Sequence, residues 1–293
     1  MRIDRRTFLA GGVVAAAGVA SAGASASRNL PFKKAKLNIS SQEPIIPGKD
    51  LPDRLAKMER WGFDGIEIWG SGLAGRVKEI RDALASSRVR LSAICSGYQG
   101  VLMSDDPVER EKAVRTMKDI LAPAGELGAT GMICVPAFNG HTKLENREGR
   151  KVLLDILPDL GAYAAKCGTR LLLEPLNRRE AFFLRQLADA ASICRDAGNP
   201  GVCMMGDFYH MFFEETSDLG AIISAGAYIH HMHVASRKRN LPGQDERDFT
   251  NGFRGLKVIG FQDYCSLECT PVGDPEKEIP KAVRFLRDQW AKA

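Results

Sequence analysis

The sequence predicts a single (β/α)₈ barrel, in which eight parallel strands close into a cylinder surrounded by helices. Two observations lead to this prediction. Eight short apolar runs, rich in Ile, Leu, Val and Cys, alternate strictly with longer amphipathic stretches. Such alternation gives parallel strands with right-handed crossovers, and about 250 residues is the usual length of a closed barrel of this kind. A doubly wound open sheet is the alternative.

The predicted strands are apolar throughout, as expected of strands that are covered on both faces. They are Leu37–Ser40, Gly65–Trp69, Arg90–Ser96, Gly131–Pro136, Arg170–Leu176, Val202–Asp207, Ile229–Ala235 and Tyr264–Thr270. No linker or low-complexity tract separates them. We therefore expect one domain over residues 27–293.

The stretches between the strands place apolar residues at helical spacing. The clearest predicted helices are Leu51–Trp61, Pro107–Leu127, Gln186–Ala197 and Asp274–Trp290. The last of these begins with Asp-Pro, a pair that is typical of a helix start. The prediction is weakest between β-strands seven and eight, where a long polar loop precedes a short helix over Phe253–Val258.

The first 26 residues have the pattern of an export signal. Arg5 and Arg6 precede an apolar run from Phe8 to about Val19, which is too short to span a bilayer, and a small–x–small tripeptide ends at Ala26. Paired arginines before a weakly hydrophobic run resemble a twin-arginine translocation signal. An ordinary secretory signal is the alternative. Either signal predicts a periplasmic or otherwise exported protein without membrane attachment after cleavage.

Charge and cysteine usage argue against two further classes of protein. The net charge is +5, and the predicted signal contributes +2 of it. The remaining charge gives little support for a nucleic-acid partner, which usually needs a dense basic face. The seven cysteines are an odd number without any CxxC pair. We therefore interpret them as small buried residues and not as a disulfide framework.

Strong metal ligands stand at the ends of the last four predicted strands. They are Glu174, Asp207, His233 and Glu268, and the intervals of 33, 26 and 35 residues each correspond to one strand–helix unit. Barrel active sites lie at the C-terminal ends of the strands, and neighbouring strands are about 4.8 Å apart. The four side chains can therefore converge. Three converging carboxylates repel one another unless a cation lies between them.

One imidazole and three carboxylates favour Mn²⁺, Mg²⁺ or Co²⁺, with Zn²⁺ as a further candidate for the one divalent ion. Side-chain alternation supports this arrangement. Leu172 shares a face with Glu174, and Met205 shares a face with Asp207. If these side chains point into the barrel, the residues between them point outward to the helices: Leu171, Leu173, Met204, Met232, Leu267 and Cys269.

The segments around these ligands resemble the xylose isomerase-like TIM barrel superfamily. Within it, the chain is most similar to the D-tagatose 3-epimerase and hydroxypyruvate isomerase group. The resemblance covers Lys36 to Trp290, and its most specific segments are EPLNRRE at 174–180, GDFYHM at 206–211, HMHVASRKR at 231–239 and LEC at 267–269. It implies that the four ligands bind the metal, and that Glu174 and Glu268 also exchange protons with the substrate.

The resemblance also implies that three further residues, His210, Glu180 and Arg239, bind the substrate. Each has a structural alternative. His210 can simply orient Asp207, and the other two can form salt bridges within loops. Glu67 is a weaker candidate for the same pocket, and a rim of Trp69, Tyr98, Phe138, Phe208 and Tyr209 is expected around it.

The activity that the resemblance implies is isomerisation or epimerisation of a small keto-sugar or related hydroxy-carbonyl compound. A glutamate removes a proton beside a carbonyl, and the metal stabilises the resulting enediolate. Return of the proton to the other carbon isomerises the substrate, whereas return from the opposite face epimerises it. The expected partner is therefore a carbohydrate-like small molecule, and relatives often form homo-oligomers.

Three alternatives remain at this point. A lyase or dehydratase would use the same metal and base to eliminate a group from a keto-sugar, an inosose or a 3-keto-glycoside. A non-catalytic sugar-binding barrel would keep only the pocket. An endonuclease IV-type nuclease needs more histidines than the five present. The loop Arg237–Asn240 is also more basic than a neutral sugar needs, and it can bind a carboxylate or phosphate, with Arg178, Arg179 and Arg254 nearby in the prediction.

Overall fold

The computed structural model describes residues 34–293. Its strands are β1 (Asn38–Ser41), β2 (Gly65–Trp69), β3 (Arg90–Cys95), β4 (Met132–Cys134), β5 (Leu171–Leu173), β6 (Val202–Asp207), β7 (Ile229–Val234) and β8 (Tyr264–Leu267). Its helices are α1 (Leu51–Trp61), α2 (Leu73–Ala85), α3 (Pro107–Glu126), α4 (Asn146–Lys166), α5 (Leu187–Ala197), α6 (Phe208–Glu214), α7 (Asp218–Ala225), α8 (Thr250–Val258) and α9 (Pro275–Lys292). The predicted export signal at 1–26 lies outside the described residues.

The eight strands form one parallel sheet that curls into a barrel. Their order is β1-β8-β7-β6-β5-β4-β3-β2. A bridge between Gln42 and Glu67 joins the ends of β1 and β2, so that the first strand contacts both neighbours. This topology confirms the predicted (β/α)₈ barrel and excludes the open sheet.

Side-chain alternation divides the apolar residues into an inner and an outer set. A small buried cluster fills the barrel with Ala93, Ile133, Leu172, Cys203 and Met205. The large cluster under the helices contains the residues with the opposite parity, including Leu171, Leu173, Met204, Met232 and Leu267. The predicted division into inward and outward faces is therefore correct, and it places Glu174 and Asp207 on the inner side.

Helix ends follow local sequence signals. Asp50 begins α1 by accepting a hydrogen bond from the Asp53 amide, and Gly62 ends the helix with a positive φ of 86°. Asp274 begins α9 in the same way, with Pro275 at the first helical position. These signals explain why both helices begin within one residue of the prediction.

Several strands are shorter than predicted, and in β5 and β8 this changes the backbone around two of the predicted ligands. β5 ends at Leu173 and β8 at Leu267, so Glu174 and Glu268 follow their strands directly. Pro175 has no amide to donate to a neighbouring strand, which explains the early end of β5. Cys269 likewise lies beyond β8, although the sequence places it on the strand.

All seven cysteines are free thiols, as expected. Among residues 34–293, no helix combines the length and apolar character that a membrane span requires.

Candidate active site

The four predicted ligands meet at the C-terminal end of the barrel. One ligand atom from each of Glu174, Asp207, His233 and Glu268 lies within 4.8 Å of the others. Strand register explains part of this convergence, because Asp207 on β6 is directly beside His233 on β7. We call this group the four-ligand cluster. The prediction of these residues as ligands remains a proposal, but the structure does bring them together.

The donor atoms of the cluster fit a divalent cation. His233 Nδ1 lies 3.1 Å from Glu268 Oε2 and 3.5 Å from Glu174 Oε1. Nevertheless His233 Nδ1 and Asp207 Oδ2 are buried and have no hydrogen-bond partner in the part of the chain that the structure describes. Buried polar atoms are normally paired, and a shared cation would satisfy both atoms. Three carboxylates and one imidazole suit Mn²⁺, Mg²⁺, Co²⁺ or Zn²⁺.

The second oxygen of Asp207 has a structural role. Asp207 Oδ1 accepts a hydrogen bond from the Tyr209 amide at 2.8 Å and so begins helix α6. This contact fixes the carboxylate so that Oδ2 faces the cluster. The sequence motif GDFYHM thus encodes both the ligand and the helix start that orients it.

Burial and neighbouring charges give the three carboxylates different pKa values. Burial raises the pKa of Glu174 above its usual value. Burial and the nearby Glu268 charge raise the pKa of Asp207 to about 6. Although burial opposes ionisation of Glu268 as well, the charges of His233 and Arg239 hold its pKa at about 2. One glutamate therefore takes up a proton more readily than the other, which is the arrangement that acid–base catalysis uses.

The predicted substrate residues border the cluster. The Arg239 guanidinium donates to Glu268 Oε2 at 2.5 Å and lies 3.9 Å from Glu180 Oε1. His210 Nε2 lies 3.5 Å from Asp207 Oδ2 and 3.4 Å from Arg239 Nη1. All three predicted residues are therefore adjacent to the ligands. Their roles as substrate contacts remain a proposal.

Asn177 is a neighbour that the sequence analysis did not identify. Its backbone amide donates to His210 Nδ1 at 3.1 Å, and its side-chain amide donates to Glu180 Oε1 at 2.9 Å. Because His210 Nδ1 accepts from the backbone, its proton resides on Nε2, towards Asp207. Asn177 lies in the quoted segment EPLNRRE, but a single Asn gives no signal of this contact.

Glu67 and Gln42 enter the site from the opposite side of the barrel. Glu67 Oε2 lies 2.8 Å from His231 Nε2 and 3.0 Å from His233 Nε2. Gln42 Nε2 donates to Glu67 Oε1 at 2.9 Å and to Glu268 Oε1 at 3.1 Å. Although burial opposes ionisation, the adjacent histidines hold the pKa of Glu67 well below its usual value. The weaker sequence candidate is thus fully inside the site, and Gln42 was missed.

The expected aromatic rim is only partly correct. Trp69, the last residue of β2, is 52% exposed, and Phe138, beyond the end of β4, is 41% exposed. Tyr209 lies under the Arg239 guanidinium. Phe208 is wrong as a rim residue, because it is fully buried against Phe249 and Phe253. Phe208 is the first residue of α6, and its side chain belongs to the large apolar cluster under the helices.

The basic loop separates into residues with different partners. Arg239 alone of the predicted basic residues reaches the four-ligand cluster. Arg237 stacks on Phe212 instead, and Arg178 pairs with Glu214 at 2.8 Å. The excess of positive charge in the sequence is therefore largely used in contacts within the protein.

Comparison with known proteins agrees with this geometry. Residues 55–289 match the family model described as xylose isomerase-like TIM barrel. A 3-dehydro-D-guloside 4-epimerase of Escherichia coli K12 is 29% identical over 261 residues, which are 86% of this chain and 99% of the relative. An L-ribulose 3-epimerase of Mesorhizobium japonicum is 25% identical and covers 83% of each chain.

A solved structure gives the same result. The apo form of 3-keto-D-glucoside 4-epimerase from Escherichia coli superimposes with a TM-score of 0.81 at 27% identity. The alignment covers 86% of this chain and all of that one. The family model matches most of the chain. The chain belongs to the xylose isomerase-like TIM barrel family.

Proposed function

We propose that this protein is a divalent-metal-dependent epimerase or isomerase of a keto-sugar. The observation that carries the proposal is the convergence of Glu174 and Glu268 on one buried cluster that also holds Asp207 and His233. The relatives named above are sugar epimerases, which confirms the prediction of an enzyme in the isomerase and epimerase class. Elimination, the alternative weighed from the sequence, is not favoured by these relatives.

The proton transfers are assigned to the two glutamates. A divalent cation in the cluster would polarise a substrate carbonyl and make the neighbouring C–H more acidic. Glu174 and Glu268 are then the pair that removes this proton and returns one. Their different pKa values suit opposite roles, because Glu174 holds a proton more readily than Glu268. A general base of this kind contributes about 10²–10⁴-fold to the rate.

The polar residues beside the cluster are assigned to orientation of the substrate. Arg239 offers a charged donor fork, and Glu180 offers an acceptor 3.9 Å from it. His210 Nε2, which carries the ring proton, lies beside Asp207 Oδ2 and the Arg239 guanidinium. Because a sugar carries both donors and acceptors on adjacent carbons, such a mixed set can fix the orientation of the reacting carbons.

The test is exchange of substrate protons with solvent. The chain from residue 27 onward is loaded with Mn²⁺ and incubated in D₂O with ketohexoses, ketopentoses and 3-keto-glucosides. Deuterium at a carbon beside the carbonyl, together with a new epimer or isomer, supports the proposal. Formation of an ultraviolet-absorbing enone instead would identify a lyase. Binding of the sugars without exchange would support a non-catalytic barrel.

We further propose that the mature protein is exported and begins near residue 27. The support is the Arg5-Arg6 pair with its weakly apolar run and small–x–small site. Cell fractionation tests this directly. Replacement of both arginines by lysine should retain the protein in the cytoplasm if the signal is of the twin-arginine type, and a secretory signal would tolerate the change.

A further inference from the structure

A second group of titratable side chains lies directly beneath the four-ligand cluster. Glu67 on β2 contacts two histidines of β7, His231 and His233, and all three side chains are fully buried. His233 belongs to both groups. Its Nδ1 faces the cluster carboxylates, and its Nε2 faces Glu67.

Two interpretations of the Glu67 group are compatible with its composition. The first is a separate metal site, and the second is a hydrogen-bonded support for His233. The N···O distances of 2.8 and 3.0 Å are those of direct hydrogen bonds. Ligands held about 2.1 Å from a shared ion in a tetrahedral site would be roughly 3.4 Å apart. The distances therefore favour hydrogen bonds.

These hydrogen bonds determine where the imidazole protons reside. An ionised carboxylate only accepts, so both histidines must donate through Nε2. A neutral imidazole with its proton on Nε2 has its lone pair on Nδ1. In His233 this is the atom without a hydrogen-bond partner among residues 34–293, and it points to Glu174 and Glu268.

We propose that Glu67 is a positioning residue that fixes the tautomer and ring orientation of His233, so that Nδ1 is the atom that binds the metal. His231 is its counterpart, because its own Nε2 hydrogen bond holds Glu67 Oε2 in place. The inference rests on the proposed metal-dependent function. Under this proposal Glu67, on β2, contributes to metal affinity although it is not itself a metal ligand.

The expected size of the effect follows from similar arrangements. A carboxylate that holds the distal nitrogen of a metal-bound histidine typically changes metal affinity by about 10–100-fold. Glu67 accepts hydrogen bonds from Gln42, His231 and His233. Glu67→Gln leaves one acceptor oxygen for these three donors and adds an amide N–H, so it no longer fixes both imidazoles with their protons on Nε2.

The first experiment needs no substitution. The full chain with ¹⁵N-labelled histidine is loaded with Zn²⁺, and the nitrogen that carries the proton is identified for His233 by long-range ¹H–¹⁵N spectra. We expect a proton on Nε2 and the metal on Nδ1. The opposite assignment, with the metal on Nε2, overturns the proposal.

The second experiment measures Mn²⁺ dissociation constants. Glu67→Gln and His231→Leu should weaken Mn²⁺ binding by about 10–100-fold. His231→Gln should largely restore it, because a glutamine amide can replace the imidazole Nε2 donor. The matched control is Asp263→Asn, which removes the carboxylate from another histidine of β7, His230, at 2.8 Å. It should leave the Mn²⁺ affinity unchanged.

The outcomes separate this inference from the proposed function. Equal Mn²⁺ affinity in the wild type, Glu67→Gln and His231→Leu overturns the positioning role, even if the enzyme epimerises sugars. Weakened binding in both variants supports the role whether or not a substrate is known. Absence of Mn²⁺ and Zn²⁺ binding in the wild type overturns both proposals.

Discussion

The two halves of the barrel contribute different chemistry to one site. The half that contains β5 to β8 provides all four members of the cluster, Glu174, Asp207, His233 and Glu268. The half that contains β1 to β4 provides Glu67 and Gln42, which contact the cluster only through hydrogen bonds. One half thus carries the groups that we propose to touch metal and substrate, and the other half forms hydrogen bonds to those groups.

This difference teaches that equal burial does not mean equal function. Glu67 and Asp207 are each 1% exposed, yet Glu67 has both oxygens paired, whereas one oxygen of Asp207 has no hydrogen-bond partner within residues 34–293. Asp207 can therefore offer an oxygen to a cation, whereas both Glu67 oxygens already accept hydrogen bonds from histidines. Substitutions in the two halves should therefore change the kinetic constants in different ways and to different extents.

The largest effect is expected for the glutamates of the ligand half. Glu268→Gln removes a general base and a metal ligand together, so kcat should fall by at least about 10²–10⁴-fold. The measurement is the rate of deuterium exchange at saturating Mn²⁺. Asp218→Asn is the matched control, because Asp218 is a half-buried carboxylate of the same half that pairs with Arg247 at 2.8 Å. If Glu268→Gln exchanges protons as fast as this control, Glu268 is not an acid or base.

A smaller effect is expected for Arg239, at the border of the ligand half. Arg239→Lys keeps the charge but loses the two-pronged donor, so KM should rise roughly tenfold while kcat changes less. Arg239 has a positive φ of 58°, which asparagine tolerates. Arg239→Asn therefore removes the charge without backbone strain and should raise KM further. A fall in kcat alone for both variants would contradict a role in substrate binding.

Substitutions in the support half should reduce activity less than those in the ligand half. Gln42→Leu removes two hydrogen bonds to carboxylates, and we expect kcat/KM to fall roughly tenfold, since one bond to a charged group contributes about 1.5–3 kcal/mol and part of it is recovered by relaxation. Gln42→Glu places another carboxylate beside Glu67 and Glu268 and should reduce activity more. Full activity in Gln42→Glu would show that the two halves are not coupled through this residue.

The sequence alone predicts the ligand half well. The four ligands stand at strand ends one strand–helix unit apart, and alternation places them on the inner face. Helix starts at Asp50 and Asp274 are equally local signals and were placed within one residue. Such features depend on residues close together in the chain, so a pattern along the sequence contains them.

The support half is difficult to predict because its contacts join distant segments. Glu67 and His233 are 166 residues apart in sequence, and Gln42 and Glu268 are 226 apart. No periodic spacing in the sequence relates these residues. They meet only because the ends of β1 and β2 come together in the closed barrel. The prediction of Phe208 as a rim residue was wrong for a related reason. Phe208 follows the predicted ligand Asp207 in sequence, but its side chain packs in the core under the helices.

The smallest effect is expected near the N-terminal end of β7, at His230, and it should change the free energy of unfolding without changing activity. Burial opposes protonation of His230, but its hydrogen bond to Asp263 raises the pKa to about 9. The unfolded chain has a histidine pKa near about 6.5. The pair therefore stabilises the fold fully below about pH 6.5, and this contribution is lost as the pH rises through about 9.

The two side chains are 25% and 27% exposed, so solvent screening limits the contribution to about 1 kcal/mol. Urea unfolding of the wild type at pH 6.5 and pH 9.5 should show this loss, and His230→Gln should not. Because His230 and His233 lie on one strand, the experiment separates the stabilising role of His230 from the metal binding proposed for His233. A loss of Mn²⁺ affinity in His230→Gln would show that the two ends are not independent.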